Sequence, residues 1–426
     1  MPEGRAGPRR LLPDRRLAPL LVALMAGLLL SELDQSMVAA ALPSMVDELD
    51  GVDNLMWVNT AYLLAATGVL PLYGALGDRF GRRPVILVAL GLIMIGSVVG
   101  ALAASMSALI MARVTQGLGA GGMLVLVQAA VADVLPVRDR APVMSLIGAV
   151  FGAAAIGGPL LGGWLAEGPG WRWTFWINLP VGGLALIAGW WLLPGRPDGA
   201  PIRRWRAVDL LPVGLFRTRA FALVALAGLV LGAALFGVVG YLPTYLQLGL
   251  GLGPVTAGLW MLTLAGGLAI GTVISAQVVA RTGVHRPFPI VGAGIAAGAL
   301  GGLALLGAEP DLAWVGIGLA LLGLGIGCAW EVLVIMVQNA VDGSRVGAAT
   351  AMNGFTREIG VLVGSAYAGG MITTRLSGGG SAGTAFSPVF AALAAVAVAG
   401  GLVLLAVPRC ALSTARPPAA RELVDR

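Results

Sequence analysis

The chain has 426 residues, of which 58% are hydrophobic and only 11% are charged, and its mean hydropathy is +0.90. A soluble globular protein carries about 25% charged residues, so the composition excludes an ordinary soluble enzyme. The formal net charge of +6 rests on 27 basic residues, all arginine, which are not clustered on one face as a nucleic-acid site would need. We therefore expect an integral membrane protein.

Apolar runs long enough to cross a membrane recur along the whole chain. A helix rises about 1.5 Å per residue and the hydrocarbon core is about 30 Å thick, so about 20 apolar residues span it. The sequence predicts an all-α fold with twelve transmembrane helices, at residues 18–43, 56–77, 84–104, 106–133, 142–166, 174–194, 220–246, 254–280, 287–307, 312–339, 346–373 and 388–408.

The arginines predict the orientation of these helices. Nearly all of them lie in alternate connections, and only Arg172 and Arg375 fall in the other set; Arg113 and Arg357 lie within helices. Because cytoplasmic connections carry the excess of basic residues, both termini are predicted to be cytoplasmic.

The longest polar connection, residues 195–219, divides the predicted helices into two bundles of six, at 18–194 and 220–408. Residues 1–17 and 409–426 are predicted to be cytoplasmic segments. Two such halves indicate a repeat related by a pseudo-two-fold axis along the membrane normal, with a binding cavity between the bundles.

A basic stretch, GALGDRFGRRP, joins the second and third helices over residues 74–84. Its glycines are expected to permit a tight turn. Its acid can accept from the N–H groups of a neighbouring helix start, and its arginines suit the anionic inner surface. The residues with these predicted roles are Gly74, Gly77, Asp78, Arg79, Gly81, Arg82 and Arg83. This spacing resembles the signature loop of the major facilitator superfamily.

The fourth and fifth helices carry further resemblances to that superfamily. RVTQGLGAGG, at 113–122, is similar to its fourth-helix motif, and GAVFGAAAIGGPLLGG, at 148–163, is similar to its antiporter motif. In the latter, glycines four residues apart predict a groove for close helix approach, and the proline can kink the helix. The motif residues are Gly148, Gly152, Gly158, Pro159, Gly162 and Gly163.

Other segments resemble the drug:proton antiporter branch of the superfamily, whose members usually have fourteen helices. They are LDQSMVAAALP (33–43), WRWTFWINLPVG (171–182), LFRTRAF (215–221), QNAV (338–341) and TREIGVLVGSA (356–366). The chain departs from that branch by two helices. AVDLL, at 207–211, resembles the entry to the first extra helix of that branch. LPVGLFRTRAF, at 211–221, resembles the segment that follows the second extra helix. Because the two stretches adjoin, the sequence indicates that both extra helices were lost together.

Two acids and one arginine in the first half are predicted to couple transport to protons. Ionisable groups in lipid are costly and usually functional. Asp34 lies where the drug:proton antiporter branch has its acidic residue. Arg113 lies at a similar predicted depth in the membrane, so the two side chains are expected to be in contact. Glu32 is about 200° away from Asp34 around the helix, so the two cannot both face one cavity. Glu32 remains open as a second acid, a substrate contact or a packed neutral carboxyl.

The second half carries Glu331, Arg357 and Glu358 within predicted helices. Glu331 and Arg357 lie at similar predicted depths, so a structural ion pair between them is plausible. Glu331 attracting a cationic substrate is the alternative.

The substrate cavity is expected to use aromatic and amphipathic side chains. Candidates on the predicted cavity helices are Trp57, Tyr62, Gln128, Tyr241, Tyr245 and Gln247. Trp57 and Tyr245 could equally be interfacial anchors.

The resemblance implies a transporter rather than an enzyme: a monomeric, multi-pass plasma-membrane protein that exports amphiphilic drugs, dyes or a secreted natural product. Its expected partners are a small-molecule substrate, protons and the lipid bilayer, with no nucleic acid. No cofactor or metal is expected, and the proton gradient is the expected energy source. A metabolite importer or facilitator of the same fold, or a non-transporting membrane sensor, remains open.

Overall fold

The computed structural model describes residues 18–49, 55–193, 213–306, 311–377 and 382–408. Twelve long helices account for most of these residues. They are α1 (Ala18–Glu48), α2 (Leu55–Phe80), α3 (Arg82–Ala101), α4 (Met106–Val134), α5 (Ala141–Glu167), α6 (Trp173–Leu192), α7 (Arg219–Gly249), α8 (Pro254–Thr282), α9 (Pro287–Leu305), α10 (Leu312–Asn339), α11 (Val346–Ser377) and α12 (Ser387–Leu405).

Eleven of these helices, within the part of the chain described, are long and apolar enough to span a membrane. The remaining one, α11, has 32 residues but is less apolar, because it carries Thr, Ser and Asn residues as well as Arg357 and Glu358. The all-α membrane fold with this number of long helices is therefore confirmed. The cytoplasmic location of the termini remains a prediction, and AVDLL and most of the 195–219 connection lie outside the described residues.

The two halves use the same packing order. In the first half α1 packs against α5 and α6, α4 packs against α2 and α3, and α3 packs against α6. In the second half α7 packs against α11 and α12, α10 against α8 and α9, and α9 against α12. Adding six to each helix number of the first half reproduces the second, as two copies of one bundle would require.

Two helix pairs hold the halves together, α2 against α11 and α5 against α8. Glycines make the first contact close: a Cβ on Gly74 of α2 would collide with the backbone of Gly347 in α11. Because small residues let helix backbones approach in lipid, this pair can close one end of the space between the halves.

The helix ends differ from the predicted ones by up to five residues, and the difference that changes an interpretation lies at the basic stretch between α2 and α3. α2 continues to Phe80, so Gly77 lies inside a helix and the prediction that it forms a turn is wrong. Gly81 alone makes the turn, with φ of 90°. Gly77 is instead needed for space, since a Cβ there would lie 2.6 Å from Nη1 of Arg82.

Candidate functional site

A cavity of about 290 Å³ lies between the two halves, and its wall is mostly apolar. Helices of both bundles contribute to it: α1, α2, α4 and α5 from the first, and α7, α8, α10 and α11 from the second. Four charged side chains line it, Glu32, Glu331, Arg357 and Glu358. Concave, largely apolar surfaces with a few placed polar groups are typical of small-molecule sites.

The predicted contact between Asp34 and Arg113 is present. Nη1 of Arg113 donates to Oδ2 of Asp34 at 2.7 Å. Asp34 is 1% exposed and Arg113 is 0% exposed. A buried pair of this kind is sensitive to the loss of either charge, because the partner left behind is an uncompensated ion in a dry site.

Two amide side chains complete the site around Asp34, and neither was predicted from the sequence. Oδ1 of Asp34 accepts from Nε2 of Gln116 at 2.7 Å and from Nδ2 of Asn178. The hydroxyl of Ser97 accepts from the same two amides. Amides at intramembrane positions, such as Gln116 in α4 and Asn178 at the start of α6, were a signal that could have found them.

Asp34 does not reach the cavity directly; Tyr62 lies between. The Arg113 guanidinium sits 4.2 Å from the centroid of the Tyr62 ring, and Tyr62 also lines the cavity. A cation over an aromatic face gains electrostatic energy from the ring quadrupole. A molecule bound in the cavity would therefore touch a ring that is in contact with the buried ion pair.

Glu32 faces the cavity, on the opposite side of α1 from the Asp34 cluster. The prediction that the two acids point in different directions is thus confirmed. The interpretation of Glu32 as a carboxyl packed away between helices is wrong, since its side chain lines the cavity together with Ser31 and Gln35.

In the second half, the predicted pairing of Glu331 with Arg357 is wrong. Nε2 of Gln128 donates to Glu331 at 3.3 Å, and the carboxylate within 4 Å of Arg357 is that of Glu358, at 3.9 Å. The guanidinium instead stacks 3.7 Å from the centroid of the Trp330 ring. Glu358 follows Arg357 directly on α11, and the α10 residue that meets the guanidinium is Trp330, one position before Glu331.

The predicted role of Asp78 as acceptor for a helix start is present at the predicted cytoplasmic end. Asp78 accepts from the backbone N–H groups of Gly347 and Ala348, at 3.0 and 2.7 Å, where α11 begins. Arg82 bridges Asp78 and Asp133, with Nε 2.9 Å from the latter. A carboxylate is stabilised at a helix N-terminus by the helix dipole and by free N–H donors.

The three arginines of this stretch do not act alike. Arg82 is buried inside the Asp78–Asp133 network, so the prediction that it lies at the lipid surface is wrong. Arg79 lies over the ring of Phe80, and Arg83 lies over the ring of Trp190.

A second contact between the halves, not foreseen from sequence, lies at the same end. Arg140, just before α5, donates to the Gln338 side chain of α10 at 2.8 Å and to the carbonyls of Ala132 and Leu135. Gln338 in turn donates to the carbonyl of Gln128 at 3.3 Å. Burial lowers the pKa of Arg140 to about 10, so the side chain is a cation at neutral pH.

The glycines of α5 divide into two groups. A Cβ on Gly158 or Gly162 would collide with Ser36 or Met37, so the predicted close approach of helices occurs here, against α1. Gly148 lines the cavity opposite Thr272 of α8. The predicted packing role is wrong for Gly152, because a Cβ added there would meet no other atom within 4 Å. A Cβ on the motif residue Gly163 would also meet none, and Pro159 is exposed within the helix.

Of the predicted cavity residues, Tyr62 and Gln128 line the cavity and the other four do not. Trp57 is 52% exposed, which fits the alternative of an interfacial anchor. Tyr245 packs against the rings of Phe386 and Phe390. Tyr241 and Gln247 also belong to α7 but do not line the cavity, and π-helical turns interrupt α7 at Gly232–Phe236 and Tyr245–Gly249.

A family model of the Major Facilitator Superfamily matches residues 24–365. An uncharacterized MFS-type transporter of Mycobacterium tuberculosis is 33% identical, over 87% of this chain and 62% of its own length. The multidrug transporter protein MdtP of Bacillus subtilis is 28% identical, over 84% of this chain and 75% of its own length.

The chain is shorter than these relatives. The first alignment runs over 429 positions while using 87% of this 426-residue chain, so the relative contains several dozen residues without a counterpart here. The chain spans 62% of the length of the first relative, and the loss of two helices stays a prediction.

Solved structures share the fold. The human organic anion transporter MFSD10 superposes with a TM-score of 0.73 at 18% identity, covering 92% of this chain and all of that one. The fucose:proton symporter FucP of E. coli superposes with a TM-score of 0.71 at 13% identity, covering 92% and 99%.

Proposed function

The chain belongs to the major facilitator superfamily, and from this premise we propose that it is a proton-coupled antiporter that exports amphiphilic drugs, dyes or a secreted natural product. As a member of that family it is a multi-pass membrane transporter rather than an enzyme. The relatives named as multidrug transporters, and one named as an efflux pump in Dothistroma septosporum, support export. We place it in the plasma membrane as a monomer.

The observation that carries the proposal is the Asp34–Arg113 pair, buried beside the cavity and connected to it by Tyr62. A structural ion pair needs no route to the substrate. Here the aromatic ring that lines the cavity also lies under the guanidinium, so occupation of the cavity can disturb the pair.

The geometry supports a simple cycle. When Asp34 is ionised, it draws Arg113, Gln116 and Asn178 together and fixes α1 against α4 and α6. A proton on Asp34 removes the charge on which these bonds depend and loosens that packing. Protonation from outside then displaces cargo and permits return, and release of the proton to the cytoplasm resets the site while the halves rock about the cavity.

The test is ethidium efflux from cells that produce the wild type, Asp34→Asn or the matched surface control Asp139→Asn, with and without a protonophore. Asp139 is exposed and far from the pair in sequence. We expect efflux by wild type and control that stops with the protonophore, and none by Asp34→Asn. Gradient-dependent efflux by Asp34→Asn would contradict Asp34 as the proton site.

The alternatives give different results in the same cells. An importer or facilitator of a metabolite would accumulate a labelled candidate and leave ethidium inside. A membrane sensor would move no cargo of either kind although the protein is folded and inserted.

A further inference from the structure

We propose that the cavity selects zwitterionic amphiphiles, with Arg357 binding the anionic group of the cargo and Glu32 its basic group. This inference rests on the proposed transport function and names the cargo class of the same cavity. It is carried by two opposite charges that line one cavity and whose charged groups make no hydrogen bond in the described part of the chain.

Arg357 is the first of these charges. It is 5% exposed, its side chain lines the cavity, and its Nε is buried without a hydrogen-bond partner. The carboxylate oxygen of Glu358 is 3.9 Å away, beyond hydrogen-bonding distance, and Glu331 is bonded by Gln128. A buried guanidinium without acceptors is costly, and the group that best matches its fork of donors is a carboxylate.

Glu32 is the opposite charge, and it comes from the other half of the molecule. Its carboxylate lines the cavity and receives no hydrogen bond from the described residues. Glu32 and Arg357 therefore reach the cavity from different halves, and no ion pair joins them in the described part of the chain.

Cargo with a single kind of charge fits this cavity poorly. A simple cation would satisfy Glu32 but leave the Arg357 guanidinium without an acceptor. A simple anion would satisfy Arg357 but also face Glu32, Glu331 and Glu358. A molecule with one basic and one acidic group meets both needs.

The wall beside Arg357 suits a flat aromatic body for such cargo. The rings of Phe236 and Trp330 are 4.0 Å apart at their centroids, and both residues line the cavity. Aromatic surfaces of this kind bind planar ligands by stacking. Because Glu32 belongs to α1 and Arg357 to α11, cargo held by both would contact both halves.

Three xanthene dyes provide a matched test. Rhodamine 110 is a zwitterion, rhodamine 123 is its methyl ester and hence a cation, and fluorescein is an anion. Their binding to the purified full chain in nanodiscs would be measured by fluorescence anisotropy, with empty nanodiscs as the background. Charge-assisted hydrogen bonds contribute about 1.5–3 kcal/mol, so we expect rhodamine 110 to bind roughly 10- to 150-fold more tightly than either of the other two dyes.

Substitutions test which residue binds each charged group of the cargo. Arg357→Gln should abolish the preference for rhodamine 110 over its ester while the ester still binds. Arg357→Lys, which keeps the charge, should retain part of that preference and guards against a folding defect in the Gln variant. Glu32→Gln should weaken binding of both rhodamines and strengthen binding of fluorescein, which no longer faces that carboxylate.

Equal binding of acid and ester by the wild type would overturn the inference, as would a preference that survives in a folded Arg357→Gln protein. Failure of the proposed function is a separate result. If ethidium efflux depends on the gradient and on Asp34 but the dyes do not differ, only the cargo class is wrong. If no cargo moves in a gradient-dependent way, the transport proposal itself fails.

Discussion

The contact between α2 and α11 offers a direct test of how the halves close at the predicted cytoplasmic end. A Cβ on Gly74 would lie 2.8 Å from the carbonyl carbon of Gly347, and closer still to that carbonyl oxygen and to the Cβ of Ala351. Two of these three atoms belong to backbone, which cannot rotate out of the way. Gly74→Ala should therefore push the two helices apart.

Gly74→Ala changes the free energy in two ways, and only one of them differs between the closed and the open state. Overpacking a close contact costs about 1–3 kcal/mol, and alanine is favoured over glycine within a helix by roughly 0.5–1 kcal/mol in any conformation. Only the overpacking depends on whether the end is closed. The closed state should thus lose roughly 5- to 150-fold in population relative to an open one. A Cβ added to Gly68, in the same helix, would meet no other atom within 4 Å, so Gly68→Ala is the matched control.

The assay is a distance distribution between spin labels placed on each side of the contact. Asp139, before α5, and Ser344, before α11, are both exposed and belong to different halves. With both native cysteines replaced, double electron–electron resonance in nanodiscs should show a longer distance becoming populated in Gly74→Ala and not in Gly68→Ala. Identical distributions in the two folded variants would refute the packing argument.

Three further predictions concern other contacts. Tyr62→Phe should keep ethidium efflux near wild type because the aromatic face remains, whereas Tyr62→Leu should reduce it several-fold, given about 0.5–2 kcal/mol for a cation over a ring; equal efflux by both would contradict the coupling role. Gln338→Leu leaves Arg140 short of an acceptor, at a cost of about 1–3 kcal/mol, and should lengthen the same spin-label distance. The pKa of Glu48 is lowered by its hydrogen bond from Arg172, so its stabilisation exists above the ordinary carboxyl pKa and disappears as pH falls through the lowered value. Thermal unfolding of Glu48→Gln should therefore lose less midpoint temperature on acidification than the wild type does.

Much of the architecture could be predicted because it depends on local properties of the chain. A hydrocarbon core of fixed thickness demands long apolar helices whatever their neighbours, so the spans were recognisable one at a time. The contact of Asp34 with Arg113 was also predictable, since two opposite charges at matching depth in lipid have strong reason to meet. So was the Asp78 contact, which depends on the general affinity of a carboxylate for a helix start.

The sequence by itself determined the helices, their number and the two opposite directions of Glu32 and Asp34 on α1. It did not determine which direction faces the cavity, and only the tertiary structure placed Glu32 there and enclosed Asp34 among Gln116 and Asn178. It also led to the wrong partner for Arg357, which stacks on Trp330. The physical reason is that the rise of a helix sets the depth of a side chain, whereas its neighbours are set by how twelve helices rotate and pack against one another.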